Sequence, residues 1–370
     1  MRHLYVHVPF CRRRCSYCDF SIAVRRAVPA DAFVRAIEAE LAQRTSAASG
    51  APLASVYLGG GTPSLLGADG VARLFDAIRA RFAIAEDAEV TLEANPDDVS
   101  AAVARRWRDA GVNRLSLGVQ SFDPGTLAWM HRTHTVEQSA AAVDSARTGG
   151  IENISLDLIF ALPSVLRRDW DRDLSQALAL APRHLSLYGL TVEQGTPLGR
   201  WQARGEVTEA PEEKYEREFL EADRRLTAAG FEHYEVSNYA LPGARARHNA
   251  SYWRRVPYLG VGPSAHSFDG ARRSWNVGAY AAWSRALLAG EGAIEGSETL
   301  DAGNEEAERI YLGLRTVDGL EAAPEWLARA KRWVAAGWAR TEGTRLALTP
   351  TGWLRLDALA ADLTAVARGS

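Results

Sequence analysis

Three cysteines in one short segment are the residues of this chain best suited to hold metal. Cys11, Cys15 and Cys18 have the spacing CX3CX2C, and the sequence contains no other cysteine. An odd, closely spaced set argues for metal binding rather than disulfides. Short spacings let one loop wrap around a compact iron–sulfur cluster, with each thiolate bound to a different iron. The spacing therefore predicts a [4Fe–4S] cluster in which one iron lacks a protein thiolate and can bind a small chelating molecule.

A structural zinc ion is the main alternative to a cluster. Its fourth ligand would be His7 or Asp19. Structural zinc sites usually combine two ligand pairs that are far apart in the sequence, and no second cysteine pair exists here. The sequence therefore favours the cluster, and it leaves His7 as a core group with satisfied hydrogen bonds. The intervening Arg12, Arg13 and Arg14 are expected to favour thiolates and to offset the charge of the cluster.

The cysteine segment follows the first of six predicted strands. Strand patterns at 4–8, 55–58, 90–93, 114–118, 155–159 and 185–189 alternate with helical patterns. One of these helices opens at Thr135 with Gln138 three residues later, which is a capping-box signature. Six such units predict an α/β fold with a parallel sheet, either curled into a full or partial barrel or doubly wound.

The pattern loosens after about residue 195. It predicts an exposed amphipathic helix at 211–229, a strand at 231–236 and irregular structure at 238–267. From about residue 290 it predicts a C-terminal α+β region that ends in a small winged-helix-like unit. The elements of this region are helices at 304–314 and 324–336, a strand pair at 338–348 and a last helix from Thr351. Three segments are therefore predicted: 1–195, 196–290 and 291–370.

Composition and charge argue against several classes of protein. With 47% hydrophobic and 24% charged residues, the chain resembles a soluble globular protein. The formal net charge of -3 argues against a nucleic-acid partner, even though the C-terminal region resembles a winged helix. No stretch reaches the ~18–20 apolar residues that span a bilayer, and the N-terminus lacks the apolar core of a signal peptide. We therefore expect a cytoplasmic protein with no integral membrane segment.

Polar and glycine-rich residues fall at the carboxyl ends of the predicted strands, where parallel α/β barrels place their binding sites. Gly59–Gly61 follow the second strand and would let the backbone approach a ligand, although a tight turn needs the same residues. Glu93 suits a hydrogen bond to a ribose hydroxyl or an amine, or it is a solvated strand end. Asp157 needs a partner if buried, and an ion pair with Arg132 is the structural alternative.

Together these motifs resemble those of the radical S-adenosylmethionine superfamily. Within it, the chain is similar to the branch that contains coproporphyrinogen dehydrogenases and heme chaperones, from Tyr5 to about Pro350. The resemblance implies a partial (β/α)6 barrel of the TIM type. The motifs that carry it are Tyr5-Val-His-Val-Pro-Phe-Cys11, Gly59-Gly-Gly-Thr-Pro63, Leu92-Glu-Ala-Asn-Pro96, Gly118-Val-Gln-Ser-Phe122, Asp157-Leu-Ile-Phe-Ala-Leu-Pro163 and His248-Asn-Ala-Ser-Tyr-Trp253.

The resemblance also implies the cofactors and their contacts. The three cysteines would hold the [4Fe–4S] cluster, with S-adenosylmethionine at the open iron. Tyr17 matches an aromatic position near the adenine. Some matched positions contact a second S-adenosylmethionine in the dehydrogenases, so the number bound here stays open. The positions that match S-adenosylmethionine contacts are Tyr5, Gly60, Gly61, Thr62, Glu93, Gln120, Arg132 and Asp157.

The branch contains two candidate functions. One is an oxygen-independent coproporphyrinogen III oxidase, which decarboxylates propionate side chains to give protoporphyrinogen IX. The other is a heme chaperone, which binds heme or a related tetrapyrrole and delivers it to an acceptor protein. The chaperone is favoured because Phe20 stands where the dehydrogenases typically carry a fourth cysteine, and because only four residues precede Tyr5, too few for the dehydrogenase arm. No residue is assigned a catalytic role.

The motif His248-Asn-X-X-Tyr252-Trp253 is associated with the chaperone branch and suggests a heme site. An imidazole can ligate heme iron, and aromatic rings can stack on the macrocycle. The alternative is a His–Asn–Tyr network that braces an irregular segment. His266 is a further candidate ligand, in a loop where Ser264 replaces the usual glycine of the family.

Overall fold

The computed structural model describes residues 2–45 and 50–369. Contacts divide the chain into two compact units. The first unit comprises residues 1–210 and 257–298, and the second comprises residues 211–256 and 299–370. The predicted segment 196–290 is thus shared between the units, and the three-segment organisation stays a prediction.

The described strands include all six of the predicted ones, as β1, β4, β5, β6, β7 and β8 of the following list. The strands are β1 (His3–Val8), β2 (Phe10–Cys11), β3 (Ala23–Val24), β4 (Leu53–Gly60), β5 (Ile84–Ala94), β6 (Arg114–Gln120), β7 (Asn153–Phe160), β8 (His184–Gly189), β9 (Glu232–Glu235), β10 (Asn238–Ala240), β11 (Leu259–Val261), β12 (His266–Phe268), β13 (Arg272–Asn276), β14 (Ile294–Thr299), β15 (Leu320–Glu321), β16 (Ala339–Glu342) and β17 (Arg345–Leu348).

Helices separate the strands of the first unit and make up much of the second. The α-helices are α1 (Ala30–Arg44), α2 (Gly67–Arg79), α3 (Ala101–Ala110), α4 (Pro124–Trp129), α5 (Val136–Thr148), α6 (Trp170–Ala179), α7 (Pro197–Ala203), α8 (Glu212–Ala228), α9 (Arg247–Trp253), α10 (Tyr280–Leu288), α11 (Ala302–Leu314), α12 (Pro324–Ala335), α13 (Pro350–Trp353) and α14 (Leu356–Gly369). Short 3-10 helices span Pro63–Leu66 and Pro96–Asp98. The predicted capping box of Thr135 and Gln138 is confirmed at the start of α5.

A parallel sheet forms the centre of the first unit. Its strands lie in the order β11-β1-β4-β5-β6-β7-β8, and each neighbouring pair is parallel. Among the described strands, β11 and β8 do not pair, so the sheet is open, as the predicted partial barrel requires. Strand residues such as Leu4 and Val6 are fully buried, which is typical of parallel sheets covered by helices. The carboxyl ends of all these strands therefore lie along one edge.

The segment predicted to be irregular contains regular elements in both units. Residues 247–253 form helix α9, and residues 259–261 form β11, which pairs with β1. The prediction of irregular structure at 238–267 is therefore wrong for these residues. Its glycines and aromatic residues obscured the pattern, because elements of seven and three residues carry little periodicity.

The second unit confirms the predicted order of its C-terminal elements. The predicted helices at 304–314 and 324–336 appear as α11 and α12, and the predicted strand pair appears as β16 and β17. Strand β15 joins this pair in an antiparallel sheet of order β15-β17-β16. The likeness of this region to a winged helix stays a prediction. No helix in the described ranges is both long and apolar enough to cross a membrane.

Glu40 of α1 is a buried carboxylate that fastens the segment 257–298 to the rest of the first unit. It accepts hydrogen bonds from the backbone N–H of Gly262 at 2.8 Å and from Nδ2 of Asn276 at 2.5 Å. Nε1 of Trp283 donates to the same carboxylate at 3.1 Å. Burial raises the pKa of Glu40, while these donors oppose the rise.

Replacing Glu40 with alanine is expected to destabilise the first unit strongly. The substitution leaves three buried donors without an acceptor, which costs about 3 kcal/mol in the free energy of unfolding. Urea unfolding followed by circular dichroism measures this loss. Glu38→Ala is the matched control, because Glu38 lies on the same helix and is exposed. Equal stability of the two variants would contradict the role given to Glu40.

Candidate functional site

A cavity of about 400 Å³ opens at the carboxyl ends of the parallel strands in the first unit. Most of the residues singled out from the sequence line it. Tyr5 is not among the lining residues, and His248 belongs to the second unit. The predicted site residues that line the cavity are Cys11, Cys15, Cys18, Tyr17, Gly60, Gly61, Thr62, Glu93, Gln120, Arg132 and Asp157.

The three cysteines lie on one wall of the cavity without converging on a single point. Sγ of Cys11 lies 3.5 Å from Oγ1 of Thr62, and Nη1 of Arg132 donates to Sγ of Cys15 at 3.5 Å. Within residues 2–45 and 50–369, no three His, Cys, Asp or Glu side chains are grouped around one ion position. Ligands of one zinc ion crowd around one centre, whereas the thiolates of a cluster bind different irons. Three thiols on the lining of one open cavity fit the ligand set of such a polynuclear group.

The charges around the cysteines differ from the expectation. Arg12 forms ion pairs with Asp97 at 3.1 Å and with Asp98 at 2.6 Å. Burial raises the pKa of the Cys11 thiol to about 11, and burial also raises the pKa of Cys18. The expectation that the neighbouring arginines favour thiolates is therefore wrong for Arg12, which two aspartates neutralise. Arg14 does act to lower the pKa of Cys18, but burial outweighs this effect. Binding of metal itself has to displace the thiol protons.

Gly60 and Gly61 bring the end of β4 against the segment that carries the cysteines. Gly60 has a φ of +108°, and a Cβ there would lie 2.6 Å from Cε1 of His7. A Cβ on Gly61 would lie 2.8 Å from the carbonyl oxygen of Phe10. Both glycines also line the cavity. Because neither glycine has a Cβ, the end of β4 can pack closely against His7 and Phe10. This packing requires glycine at both positions even without a ligand.

His7 is confirmed as a core group with satisfied hydrogen bonds. Its Nδ1 lies 3.0 Å from the hydroxyl of Tyr5, and its Nε2 lies 3.0 Å from the carbonyl oxygen of Ser21. Both ring nitrogens are thus occupied by protein partners. The hydroxyl of Tyr5 thus contacts His7, which in turn packs against Gly60.

Two buried carboxylates face the cavity from neighbouring parts of the sheet. Glu93 accepts hydrogen bonds from the hydroxyl of Tyr57 at 2.6 Å and from the N–H of Gly60 at 3.2 Å. Asp157 accepts from Oγ of Ser116 at 3.1 Å. Burial raises the pKa of Glu93 to about 7 and that of Asp157 to about 6. Both groups therefore exchange a proton near neutral pH, and a bound cation or donor would favour their ionised forms.

Arg132 does not form the ion pair with Asp157 that the sequence offered as an alternative. Its Nη2 donates to Oδ1 of Asn95 at 2.6 Å and to the carbonyl oxygen of Gly118 at 2.7 Å. Its Nη1 contacts Cys15, so Arg132 joins the cysteine wall to the ends of β5 and β6. Its Nε is buried and has no hydrogen-bond partner among residues 2–45 and 50–369.

Sequence reasoning missed Asn95 and Ser116 as members of the site. Asn95 lies in the same sequence motif as Glu93, but the sequence did not indicate that its side chain accepts a hydrogen bond from Arg132. Ser116 lies two residues before Gly118, and Gly118 lies two before Gln120; strand periodicity therefore puts all three on one face of β6. Each of these residues lines the cavity.

The two remaining predicted contacts, Gln120 and Tyr17, occupy unusual surroundings. Gln120 has a φ of +67°, which costs energy for a residue with a Cβ and recurs at functional sites. Tyr17 packs against a hydrophobic cluster formed by Met130, Ile159 and Leu162. Its burial raises the pKa of its hydroxyl, so Tyr17 presents a neutral aromatic ring to the cavity.

His248 lies on helix α9 in the second unit with its ring fully buried. Its Nε2 lies 2.8 Å from the hydroxyl of Tyr252, one helical turn away. This contact agrees with the bracing alternative, although the segment is helical rather than irregular. His266 is exposed on β12 in the first unit. Ser264 has a φ of +62°, which explains why glycine suits that position better.

Comparison with known proteins shows the family. Residues 5–177 match the model of the Radical SAM superfamily. Heme chaperone HemW of Mycobacterium tuberculosis is 38% identical over 362 residues, which cover 96% of this chain and 93% of that protein. Heme chaperone HemW of Escherichia coli is 40% identical over 264 residues, or 71% of this chain and 69% of that protein. The mitochondrial radical S-adenosyl methionine domain-containing protein 1 of Bos taurus is 40% identical over 266 residues, 71% of this chain and 60% of that protein.

A solved structure shows the same fold. Coproporphyrinogen III oxidase (HemN) from Escherichia coli, described as a radical SAM enzyme, has a TM-score of 0.84. The match covers 98% of this chain and 90% of that one at 22% sequence identity. At this identity the likeness concerns the fold alone, and it confirms the predicted α/β fold with a parallel sheet.

Glu93→Gln is expected to flatten the pH dependence of stability. Folding raises the pKa of Glu93 from 4.5 to about 7, so the folded chain binds this proton more tightly than the unfolded chain does. The free energy of unfolding therefore falls as the pH rises through this range, by about 3 kcal/mol for this one group. Urea unfolding at about pH 5 and about pH 8 measures the fall.

The loss between these two pH values should be smaller in Glu93→Gln than in the parent chain. Glu86→Gln is the control, because Glu86 is an exposed carboxylate of the same strand. If Glu93→Gln and Glu86→Gln show the same pH dependence, Glu93 is not the group that titrates near neutrality.

Proposed function

The chain belongs to the HemW heme chaperone family of the radical SAM superfamily, and from this we propose that it binds heme and delivers it to an acceptor protein. It would carry a [4Fe–4S] cluster with exchangeable S-adenosylmethionine. The observation that carries the proposal is the extent of its likeness to HemW of Mycobacterium tuberculosis. That likeness covers 96% of the chain, and so extends over both units.

Cys11, Cys15 and Cys18 would bind three irons of the cluster. The fit is supported by the fact that all three thiols line one open cavity. When bound, the cluster supplies redox chemistry and an open iron for a chelating ligand. Arg132 contacts Cys15 and would hold that side chain in place while balancing negative charge.

The rest of the cavity would hold S-adenosylmethionine. Gly60, Gly61 and Thr62 leave space beside the cysteines for the methionyl end, and Tyr17 would lie against the adenine. Glu93 and Asp157 would accept hydrogen bonds from hydroxyl or ammonium groups. The unpartnered Nε of Arg132 is a buried donor that a ligand oxygen would satisfy. Gln120 would contribute a further amide. Tyr5 would act through the contact between its hydroxyl and His7.

Replacing any one of the three cysteines with alanine is expected to abolish the cluster. Two thiolates cannot hold a cluster that already lacks a fourth, so the loss should be nearly complete rather than partial. Iron and sulfide content of anaerobically reconstituted protein, with the brown charge-transfer absorption, measures it. Ser16→Ala is the control inside the same segment. Stoichiometric zinc with no iron in the parent chain would contradict the assignment.

Phe20 bears on the choice between a chaperone and an oxidase. Its side chain is exposed and lines the cavity, so a phenyl ring stands where the dehydrogenases typically have a fourth thiol. We therefore expect no conversion of coproporphyrinogen III to protoporphyrinogen IX by protein with an intact cluster, S-adenosylmethionine and a strong reductant. This assay is the control for the heme experiment that follows.

Heme transfer tests the proposed function directly. The protein should bind heme stoichiometrically. It should then transfer this heme to an apo heme protein such as apomyoglobin faster than heme would reach that acceptor by dissociating into solution. Difference absorption spectra follow both steps. Absence of heme binding, together with turnover of coproporphyrinogen, would make the protein an oxidase and contradict the proposal.

His248→Ala tests the proposed iron ligand in the same experiment. Ligation requires the buried ring to leave the hydroxyl of Tyr252, so Tyr252→Phe is expected to strengthen heme binding while His248→Ala weakens it about tenfold or more. Unchanged heme spectra and affinity in His248→Ala would leave His248 with its bracing role and assign the iron ligand elsewhere.

A further inference from the structure

A second cavity, of about 420 Å³, lies wholly within the second unit. Its lining is rich in arginine, although the formal net charge of the chain is -3. Only two lining carboxylates, those of Asp318 and Glu321, stand against five arginines. The arginines are Arg245, Arg254, Arg255, Arg309 and Arg345.

Helix α9 divides the motif that contains His248 between two faces. Ala250, Trp253 and Arg254 have the spacing of one helical face, and all three line the cavity. His248 and Tyr252 pair with each other on another face. The cavity therefore receives the tryptophan of the motif, and the buried histidine is not among its lining residues.

Among the described residues, four of the five arginines are already engaged, including Arg255 with Glu308 and Arg309 with Glu306, whereas Arg254 is still available. Arg245 pairs with Glu232 and with Asp318, and Arg345 pairs with Glu321. The guanidinium of Arg254 makes only a 4.0 Å contact with Asp318, and its side chain is 65% exposed. Within the described part of the chain, the side chain of Arg254 makes no hydrogen bond.

The wall of the cavity combines this available charge with apolar surface. Trp253, Ala250 and Leu320 supply the apolar part. Nε1 of Trp253 is buried and has no hydrogen-bond partner among the described residues. A ligand with a flat apolar body and carboxylate groups at one edge matches both parts, because guanidinium groups pair with carboxylates in a fixed geometry and aromatic rings pack on flat ligands.

We propose that this cavity binds the carboxylate edge of the tetrapyrrole that the chain carries. The proposal rests on the proposed function, since it names the part of the protein that recognises the propionates of heme. Arg254 is the positioning cation, because the other arginines of the cavity are already paired with carboxylates. A nucleic-acid phosphate is disfavoured because the arginines surround a cavity rather than forming an exposed stripe.

Heme and its dimethyl ester distinguish carboxylate recognition from binding of the macrocycle. The two molecules share the iron and the ring, but the ester lacks the negative charges. Equilibrium titrations at one detergent concentration should show that the full chain binds heme about tenfold more tightly than the ester. Protoporphyrin IX, which keeps the carboxylates and lacks iron, should compete with heme.

Arg254→Gln is the decisive variant, because the exposed side chain contributes no hydrogen bond to the fold. It should weaken binding of heme about threefold to tenfold and leave binding of the ester unchanged. Arg224→Gln is the matched control, since Arg224 is an exposed arginine of α8 that does not line the cavity.

The outcomes separate this proposal from the proposed function. Equal affinities of the parent chain for heme and ester, or equal effects of Arg254→Gln on both, would overturn the carboxylate site and leave a heme chaperone. Binding of neither molecule would overturn the proposed function and this inference together.

Discussion

The parallel register of the strands in the first unit is the constraint on which the site depends. Because β1, β4, β5, β6 and β7 run in the same direction, their carboxyl ends deliver residues that are far apart in sequence to one edge. The register also places Gly60 beside the end of β1, where only a residue without a Cβ fits against His7. A shift of this pairing would separate the cysteine segment from the carboxylates.

Burial then determines the chemistry of the groups collected there. Burial raises the pKa of Glu93 to about 7 and that of Asp157 to about 6. A small electrostatic change therefore decides whether these two carboxyl groups are ionised. Burial likewise raises the pKa values of the Cys11 and Cys18 thiols. Arg132 is the fixed cation among them, and it spans the distance between the cysteine wall and the sheet. A site of this kind is prepared for a cationic, polar cofactor and a metal group that bind together.

The sequence predicted the parts of this arrangement that rest on periodicity and local spacing. The six strands, the capping box at Thr135 and the satisfied core role of His7 are examples. It did not predict α9 and β11, whose few residues carry too little pattern. It also placed Tyr5 among the cofactor contacts, which stays a prediction, and did not show that its hydroxyl contacts His7. The partners of Arg132 were missed because they are chosen by tertiary packing.

The arginine cavity of the second unit lay beyond sequence reasoning for a similar reason. Its cations come from positions between 245 and 345, and no stretch of the sequence shows them as a cluster. Its link to the motif of His248 appears only when α9 is known to be a helix, because the helix decides which motif residues share a face. Linear spacing identified the motif, and three-dimensional spacing places His248 and Tyr252 on one face of the helix and Trp253 on another.

The central claim is that three cysteines hold a cluster with one iron open to S-adenosylmethionine. Mössbauer spectroscopy of protein reconstituted with isotopically enriched iron tests it most directly, because each iron environment contributes its own signal. Addition of S-adenosylmethionine should change the signal of about one iron in four and leave the others as they were. A spectrum that S-adenosylmethionine does not alter, recorded on an intact cluster, would contradict the claim.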